Sequence, residues 1–316
     1  MEIVLLEDLA ADARQWLAQR HEVHYEPHLA DDVSLLRERL YETAALVAPV
    51  RLKITSRLLK FAPSLLAIGR VHGGSENMDF EACRRQRVRV IQAATANVRA
   101  SAEYLLSTLL SLFRHGVSTP AGGALGREIN DSVIALFGMA PVAQLLASML
   151  LTMGARVVGY DPTLHRSAEL WRRLGVQPMS LYDMLEVADA VSVQLVYATR
   201  YRGLIGGRVL AACKPGQLWT SISRPAVFDL DALAASLHTG RIAAFMMDSD
   251  EEYLPSAASS PLRGLPNLSM TPHLAPRTRE SWARGSWYLV DRIHQTLAAN
   301  AKRLPLPESE PLPSFP

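Results

Sequence analysis

The chain has 316 residues, of which 49% are hydrophobic and 20% are charged, so it can bury the cores of about two domains and is not a disordered chain. With 33 basic and 31 acidic residues the net charge is only +2, which argues against a nucleic-acid binder that works by a broad basic surface. Two cysteines cannot form a disulfide framework, and the acidic start of the chain lacks the features of a signal peptide, so we expect a cytoplasmic protein.

Short apolar runs alternate with amphipathic stretches over the first hundred residues. Strands are predicted at residues 3–6, 44–47, 65–69 and 88–91. A helix is predicted at residues 9–18 with Asp8 as its cap, and a short helix is predicted to begin after Thr55 and to stop before Pro63. Strands that alternate with helices in this way indicate parallel β-α units.

The second half of the chain repeats this alternation. Six strands are predicted, at residues 133–137, 156–160, 190–195, 218–222, 243–247 and 268–271. Six strands joined by helices suit a dinucleotide-binding sheet, although other doubly wound sheets share the pattern. The charge-free stretch 132–155 is long enough to cross a bilayer, but Gly138 and Pro141 interrupt it. We interpret it as a buried strand, a turn and a buried helix, and we expect no membrane partner.

Two long helices are predicted where these two series end. Residues 99–114 carry no charge between Glu103 and Arg114, which predicts a helix that is buried nearly all round. Residues 278–301 form an amphipathic helix, and the proline-rich tail from Leu304 is predicted to be extended. The apolar part of the first helix has more hydrophobic surface than one domain usually covers, which predicts a homodimer.

A candidate dinucleotide site lies in the middle of the chain. The hexapeptide at residues 138–143 follows a strand, opens a helix and precedes an acidic residue at the end of the next strand. In that position backbone N–H groups bind a pyrophosphate and the acidic residue binds the adenosine ribose. Two of the three fingerprint glycines are alanine here, so an ordinary β-α turn is the alternative. The candidate binding residues are Gly138, Met139, Ala140, Pro141, Val142 and Asp161.

Further motifs follow in a fixed order from residue 44 to about residue 290. They are Leu66-Ala-Ile-Gly-Arg70 with Gly74, Asn77 and Asp79, then Ala96-Asn-Val-Arg-Ala-Ser-Ala-Glu103, Arg202-Gly-Leu-Ile205, Lys214-Pro-Gly216, Ser223-Arg224, Asp229, Asp248 and Thr271-Pro-His273. This ordered set resembles the D-2-hydroxyacid dehydrogenase family, which includes phosphoglycerate, glyoxylate, D-lactate and formate dehydrogenases. No single motif is specific, whereas their order is.

The resemblance implies an α/β fold with two doubly wound parallel-sheet domains. A Rossmann dinucleotide-binding domain, expected at residues 99–276, would be inserted in a flavodoxin-like substrate domain made of residues 1–98 and 277–316. The active site would lie in the cleft between the two domains.

The resemblance also implies which residues carry the chemistry. Arg224 would hold the carboxylate and carbonyl of a 2-keto acid, because a guanidinium offers a planar fork of donors. His273 would exchange the proton of the carbonyl oxygen near neutral pH. Glu252 would orient that imidazole, although it stands one residue short of the family's position. Glu251, or a solvated acidic loop without a catalytic member, is the alternative.

The substrate and cofactor contacts implied by the resemblance depart from the family in part. The substrate loop would use His72, Gly73 and Gly74, and His72 replaces a glycine of the family. Val196 stands where the family has a proline beside the adenine. The remaining implied cofactor contacts are Ser223 and Asp248, of which Asp248 holds the nicotinamide carboxamide in the family.

The cofactor is expected to be NAD rather than NADP. A carboxylate at Asp161 accepts from ribose hydroxyls and repels a 2′-phosphate, although His165 and Arg166 soften that preference. No metal is expected. The sequence therefore predicts an oxidoreductase that transfers a hydride between a nicotinamide cofactor and a 2-keto or D-2-hydroxy acid. A dehydrogenase-derived binding or regulatory protein, and non-redox chemistry on a related acid, are the alternatives.

Overall fold

The computed structural model describes residues 1–71, 77–116, 125–196, 198–249 and 260–301. The chain divides into two compact units, one made of Met1–Asn97 and Thr278–Pro316 and the other of Val98–Arg277. Each unit contains one parallel β-sheet with helices between its strands. The predicted fold class, two parallel-sheet α/β domains, is confirmed.

The first unit is built on a five-stranded sheet. Its strands are β1 (Glu2–Leu5), β2 (Glu22–Tyr25), β3 (Ala45–Val47), β4 (Ala67–Arg70) and β5 (Arg89–Gln92). Its helices are α1 (Ala11–Ala18), α2 (Val33–Arg39), α3 (Ser56–Leu59), α4 (Phe80–Arg85) and, from the end of the chain, α11 (Arg279–Ala301). The strand order β2-β1-β3-β4-β5 is that of flavodoxin-like sheets.

The last helix belongs to the core of this first unit. Leu289, Ile293 and Leu297 of α11 are fully buried in the same apolar cluster as Ile3 of β1. A Cβ atom added at Gly69 would lie 3.3 Å from the Ile293 side chain, so β4 and α11 are in close contact. The apolar stripe of α11 thus completes a sheet whose strands all come from the start of the chain.

Two local predictions for the first unit have different outcomes. Thr55 caps α3 as predicted, since its hydroxyl accepts from the Leu58 N–H at 3.3 Å. Asp8 does not cap α1: the helix begins at Ala11 after an N-cap residue without a side-chain bond, and Asp8 instead accepts from Arg14 at 2.8 Å. Strand β2 was not predicted, because it is a half-exposed strand that pairs only with β1 at the edge of the sheet and therefore lacks an apolar run.

The second unit is built on a seven-stranded sheet. Its strands are β6 (Val133–Phe137), β7 (Arg156–Tyr160), β8 (Gln177–Pro178), β9 (Ala190–Val193), β10 (Gln217–Ser221), β11 (Ile242–Asp248) and β12 (Leu268–Thr271). Its helices are α5 (Val98–His115), α6 (Pro141–Thr152), α7 (Glu169–Leu174), α8 (Leu181–Val187), α9 (Gly207–Ala211) and α10 (Leu230–His238). The order β12-β11-β10-β9-β6-β7-β8 is the dinucleotide-binding order with one further strand.

Most predicted elements of the second unit are confirmed. The charge-free stretch forms β6, a turn and α6, and no helix among the described residues is long and apolar enough to span a bilayer. The strand that was not predicted is β8, which has two residues at the edge of the sheet and is too short to give a periodic signal. Helix α5 is less buried than predicted: Glu103, Ser107 and Leu110 lie on an exposed side, and Leu110 is 40% exposed.

Candidate active site

The turn between β6 and α6 requires glycine at its first position. Gly138 has a φ of +95°, and its N–H donates to the Tyr160 carbonyl at 2.8 Å. A Cβ atom here would lie 2.8 Å from the Leu195 Cα atom and 2.9 Å from the Leu195 nitrogen. Both the left-handed backbone and the close approach of the chain after β9 therefore exclude a side chain.

The first turn of α6 has no side-chain cap. Its N-cap is Ala140, which has no side-chain hydrogen bond, and Pro141 occupies the first helical position. The N–H groups at the start of a helix have no intrahelical partner, and together with the helix dipole they favour an anion. Pro141 removes one of these donors, which leaves Val142 and Ala143 as the first N–H groups within the helix. The turn therefore fits a pyrophosphate, with one donor fewer than a helix without proline would offer.

Asp161 lies beside this turn and is bound by it. One of its carboxylate oxygens accepts from the Met139 N–H at 2.8 Å. The other accepts from the N–H and the hydroxyl of Thr163, at 2.8 and 2.7 Å. The structure thus brings together two residues that the fingerprint predicted as cofactor contacts, through a bond between them that the sequence did not suggest.

A buried glutamine supports the same turn and was missed by the sequence analysis. Gln194 is 4% exposed, and its side-chain amide donates to the carbonyls of Gly138 at 2.8 Å and Phe137 at 3.3 Å. Its own oxygen accepts from the Ser192 hydroxyl at 2.8 Å. The signal in the sequence is an amide between the apolar residues Val193 and Leu195, which must find partners when buried.

The turn after β10 is tied to the turn after β9 by a second buried polar residue. The Ser223 hydroxyl donates to the Leu195 carbonyl at 3.0 Å, and the Ser223 N–H donates to the Ser221 hydroxyl at 3.0 Å. Val196, next to this bond, is 46% exposed. Arg224 follows Ser223, is half-buried, and begins a short 3-10 helix at Pro225–Val227. Ser223 therefore fixes the point from which the Arg224 side chain leaves the sheet.

Asp248, at the end of β11, holds the turn that carries His273. It is 5% exposed, and one of its oxygens accepts from the Thr271 hydroxyl and from the Leu274 N–H at 2.7 Å. The other oxygen accepts from the Ala275 N–H at 2.8 Å. The sequence assigned Asp248 to the nicotinamide carboxamide, whereas in this structure both of its oxygens bind the chain at residues 271–275.

His273 sits in an unusual backbone conformation within that turn. Its φ is +51°, and its N–H donates to the Thr271 carbonyl at 3.0 Å across Pro272. A left-handed conformation is uncommon for residues other than glycine and persists only where the surroundings impose it. Here the bonds from Asp248 to both sides of His273 impose it. The His273 residue itself is exposed.

The predicted residues of the second unit that the structure describes lie at or after the carboxyl ends of its strands. Gly138 and Asp161 follow β6 and β7, while Arg224, Asp248 and His273 lie at or after the ends of β10, β11 and β12. Because the strands are parallel, these ends share one edge of the sheet, where doubly wound folds bind their ligands. The other predicted residues lie outside the described part of the chain: Glu252, its alternative Glu251, and the substrate-loop residues His72, Gly73 and Gly74. Among the described residues no group of three or more His, Cys, Asp or Glu could hold a metal ion.

A seven-stranded sheet of this order, with a glycine turn and an acidic residue after its first two strands, defines a dinucleotide-binding protein. The family model described as "D-isomer specific 2-hydroxyacid dehydrogenase, NAD binding domain" matches residues 107–275. The chain belongs to the D-2-hydroxyacid dehydrogenase family, whose members are NAD-dependent oxidoreductases. The resemblance carried by its motifs is thereby confirmed.

Individual relatives agree with this assignment. The chain is 34% identical over 288 residues to the (S)-sulfolactate dehydrogenase of Chromohalobacter salexigens, an alignment that covers 88% of this chain and 93% of the relative. It is 30% identical to the D-3-phosphoglycerate dehydrogenase of Mycobacterium leprae over 81% of this chain but only 50% of that longer protein. A crystal structure of a Thermus thermophilus protein superposes with a TM-score of 0.80 at 25% identity, covering 97% of this chain and 99% of the other.

Proposed function

We propose that this chain interconverts a 2-keto acid and a D-2-hydroxy acid with NAD as its cofactor. The observation that carries the proposal is the turn at residues 271–275. Three hydrogen bonds to the Asp248 carboxylate hold His273 in a left-handed conformation there, at the sheet edge that also carries Arg224 and the Gly138 turn. A buried carboxylate holds the backbone of one exposed histidine in an unfavourable conformation. This arrangement supports a chemical role for that histidine.

The two catalytic residues have complementary tasks. Arg224 binds the substrate carboxylate and the reacting carbonyl through its guanidinium, which also stabilises the charge that develops on the carbonyl oxygen. His273 donates a proton to that oxygen during reduction and removes it from the hydroxyl during oxidation. A bound nicotinamide cofactor supplies or accepts the hydride. Glu252 remains our prediction for the carboxylate that orients the imidazole, and His72, Gly73 and Gly74 remain our prediction for the substrate loop.

In this proposal the cofactor binds at the carboxyl ends of the strands of the second unit. The N–H groups of Val142 and Ala143 bind the pyrophosphate, and the Asp161 carboxylate binds the adenosine ribose. Val196 and Ser223 would complete the cofactor site, and Asp248 would hold the nicotinamide carboxamide in addition to the bonds it already makes. Asp161 favours NAD over NADP, since its negative charge opposes a 2′-phosphate.

The proposal also covers the oligomeric state of the protein and the cellular compartment in which it works. A homodimer through helix α5 remains our prediction, in which Leu110, the exposed apolar residue of this helix, would lie at the interface. Both cysteines, Cys83 and Cys213, are buried free thiols, and burial raises the pKa of Cys213 to about 12. Unreactive thiols without a disulfide suit a reducing compartment, which supports a cytoplasmic enzyme. That the enzyme has no nucleic-acid or membrane partner remains our prediction.

A second candidate function is a dehydrogenase-derived binding protein. The observation in its favour is the loss of donors in the fingerprint turn: Pro141 has no N–H, and the Met139 N–H is bound to Asp161. Fewer donors weaken the hold on a pyrophosphate and with it the case for redox turnover. Calorimetry with NADH followed by turnover assays separates the two functions. A protein that binds no nicotinamide cofactor cannot be the proposed oxidoreductase, and one that binds NADH but reduces no 2-keto acid is the binding protein.

The decisive assay follows NADH and NADPH oxidation with a panel of 2-keto acids. The panel contains pyruvate and glyoxylate together with two acids that carry a second anionic group, sulfopyruvate and 3-phosphohydroxypyruvate, because two relatives act on acids of that kind. We expect turnover with NADH that His273→Gln lowers roughly a hundredfold or more. We also expect Arg224→Lys to lower turnover severely, because an ammonium group cannot reproduce the two parallel hydrogen bonds that a guanidinium donates.

Matched controls come from exposed residues of the same unit. His238→Gln and Arg208→Lys make the same chemical changes at the exposed ends of α10 and α9, and we expect them to keep wild-type turnover. Turnover that survives both His273→Gln and Arg224→Lys would refute the assignment of the two catalytic residues.

A further inference from the structure

Helix α5 contributes a tyrosine to the turn that carries His273. The Tyr104 hydroxyl lies 2.6 Å from the Thr271 hydroxyl, and Thr271 is in turn bonded to the Asp248 carboxylate. Tyr104 and Asp248 therefore meet at one threonine, two residues before His273. Tyr104 precedes this threonine by 167 positions, so the contact is a product of the fold.

The direction of these hydrogen bonds follows from the donors available. Asp248 accepts from two backbone N–H groups and acts here as a carboxylate, so the Thr271 hydroxyl must donate its single proton to it. The Thr271 oxygen then has only lone pairs to offer, and the Tyr104 hydroxyl must be the donor to it. Burial raises the pKa of Tyr104 and the Asp248 charge adds to this, against the lowering effect of the hydrogen bond with Thr271, so the phenol stays protonated as a donor.

This arrangement fixes the orientation of the Asp248 carboxylate. One oxygen is shared between the Thr271 hydroxyl and the Leu274 N–H, and the other binds the Ala275 N–H. A carboxylate that rotates releases all three bonds together and with them the left-handed conformation of His273. The Tyr104 donor strengthens the Thr271 hydroxyl as a donor, because hydrogen bonds in a chain polarise one another in a buried setting.

We propose that Tyr104 is a positioning residue for His273, acting through the Thr271 hydroxyl and the Asp248 carboxylate. This inference rests on the proposed function of His273 as the acid and base. Tyr104 touches neither substrate nor cofactor in this scheme. Its contribution is to hold the turn at residues 271–275 in the geometry in which the His273 imidazole meets the carbonyl oxygen.

The test compares Tyr104→Phe and Thr271→Val with wild type by two independent measurements. The first is steady-state kinetics on the keto acid that the wild type turns over. We expect each variant to lower kcat roughly threefold to tenfold, as the loss of one hydrogen bond of ordinary strength does, with a smaller change in KM. The second is amide hydrogen exchange of Leu274 and Ala275, which we expect to accelerate by a similar factor in both variants, with or without substrate.

Two further variants separate positioning from a general loss of stability. Thr271→Ser keeps the hydroxyl, so we expect it to retain the kcat and exchange rates of the wild type. Thr108→Val removes a buried hydroxyl one turn further along α5, where Thr108 contacts Thr220 of β10 at 2.8 Å rather than the His273 turn. We expect this control to keep kcat and the exchange rates of Leu274 and Ala275, even though it loses a comparable buried bond.

The outcomes distinguish this inference from the proposed function. Exchange and kcat that stay unchanged in both Tyr104→Phe and Thr271→Val, or that change equally in Thr108→Val, overturn the positioning role. A wild-type protein without turnover on any keto acid overturns the proposed function alone. In that case faster exchange in Tyr104→Phe and Thr271→Val, with none in Thr108→Val, still supports the link between Tyr104 and the turn.

Discussion

Replacement of Gly138 by alanine tests the geometry of the fingerprint turn most directly. The new Cβ would lie 2.8 Å from the Leu195 Cα atom and 3.1 Å from the Gln194 carbonyl carbon, so it meets backbone rather than a flexible side chain. The φ of +95° is a second penalty for any residue with a Cβ. We therefore expect Gly138→Ala to destabilise the second unit and to displace the start of α6.

The expected loss of stability is the sum of the cost of the positive φ and the cost of the close contact. A positive φ costs alanine about 1–2 kcal/mol relative to glycine, and forced overpacking typically costs about 1–3 kcal/mol. Together they lower the free energy of unfolding by about 2–5 kcal/mol. For a unit the size of Val98–Arg277, about 1 kcal/mol lowers Tm by roughly 2–4 °C, so we expect a loss of at least about 4 °C.

A matched control separates backbone strain from the close contact. Gly240 has a φ of +69°, but no heavy atom lies within 4 Å of a Cβ built there. Gly240→Ala should therefore show only the conformational cost, about 1–2 kcal/mol. Thermal unfolding gives the stability of both variants, and fluorescence titration with NADH reports whether the turn still binds the cofactor. We expect NADH binding to weaken in Gly138→Ala and to stay unchanged in Gly240→Ala.

The result that would refute this reasoning is a Gly138→Ala protein no less stable than Gly240→Ala. Equal stability would mean that the chain after β9 can move away from the turn at little cost, in spite of the bond between Gln194 and the Gly138 carbonyl. Undiminished NADH binding in Gly138→Ala would likewise show that the position of the first turn of α6 does not control affinity.

Three further predictions address the turn between β6 and α6, a half-buried acid and the residue expected to orient His273. Ala140→Gly combined with Pro141→Arg restores an N–H donor at the first turn of α6. Because a hydrogen bond to a charged group contributes about 1.5–3 kcal/mol, we expect calorimetry to show NADH binding about tenfold tighter or more. An unchanged Kd for NADH would contradict the importance of this donor. Burial raises the pKa of Glu7 to about 7 from 4.5, against the lowering effects of Arg51 and Arg70, so its favourable contribution to stability is present below pH 4.5 and is lost as the pH rises through 7. Urea unfolding should therefore show that Glu7→Gln gains stability relative to wild type as the pH rises between these values. If the free energies of unfolding of the two proteins depend on pH in the same way, burial does not raise the pKa of Glu7. Glu252→Gln should lower the pH at which activity falls on the alkaline side, since the imidazolium loses its counter-charge, and an unchanged pH profile would direct attention to Glu251.

The succession of elements could be predicted because its signals are local. The strands at β6, β7 and β12 have the bounds that their apolar runs predicted, and Thr55 caps α3 as its position before a short apolar stretch indicated. The exposed edge strands β2 and β8 were missed because they lack this local signal. Each pairs on one side only and does not need a continuous apolar run. Asp8 shows the limit for caps, since a suitable residue type does not determine where the first helical turn begins.

The polar contacts that support the site depend on the tertiary structure. Met139 and Asp161 were each predicted to contact a cofactor, yet the fold bonds them to each other, because the ends of β6 and β7 are neighbours in the sheet. Gln194 was overlooked because an amide directly after an apolar strand shows no preferred partner until the neighbouring strand is in register.

The sequence by itself determined the family, the alternation of strands and helices, and the residue types available for chemistry at positions 224, 248 and 273. These properties are encoded in short stretches, as hydrophobic periodicity and as motifs of a few residues in a fixed order. Only the tertiary structure decided that Asp248 binds the turn of His273 and that Tyr104 reaches Thr271 from a helix far away in the chain. The physical reason is that a hydrogen bond needs its donor and acceptor within about 3 Å, a condition set by strand order, register and helix packing together.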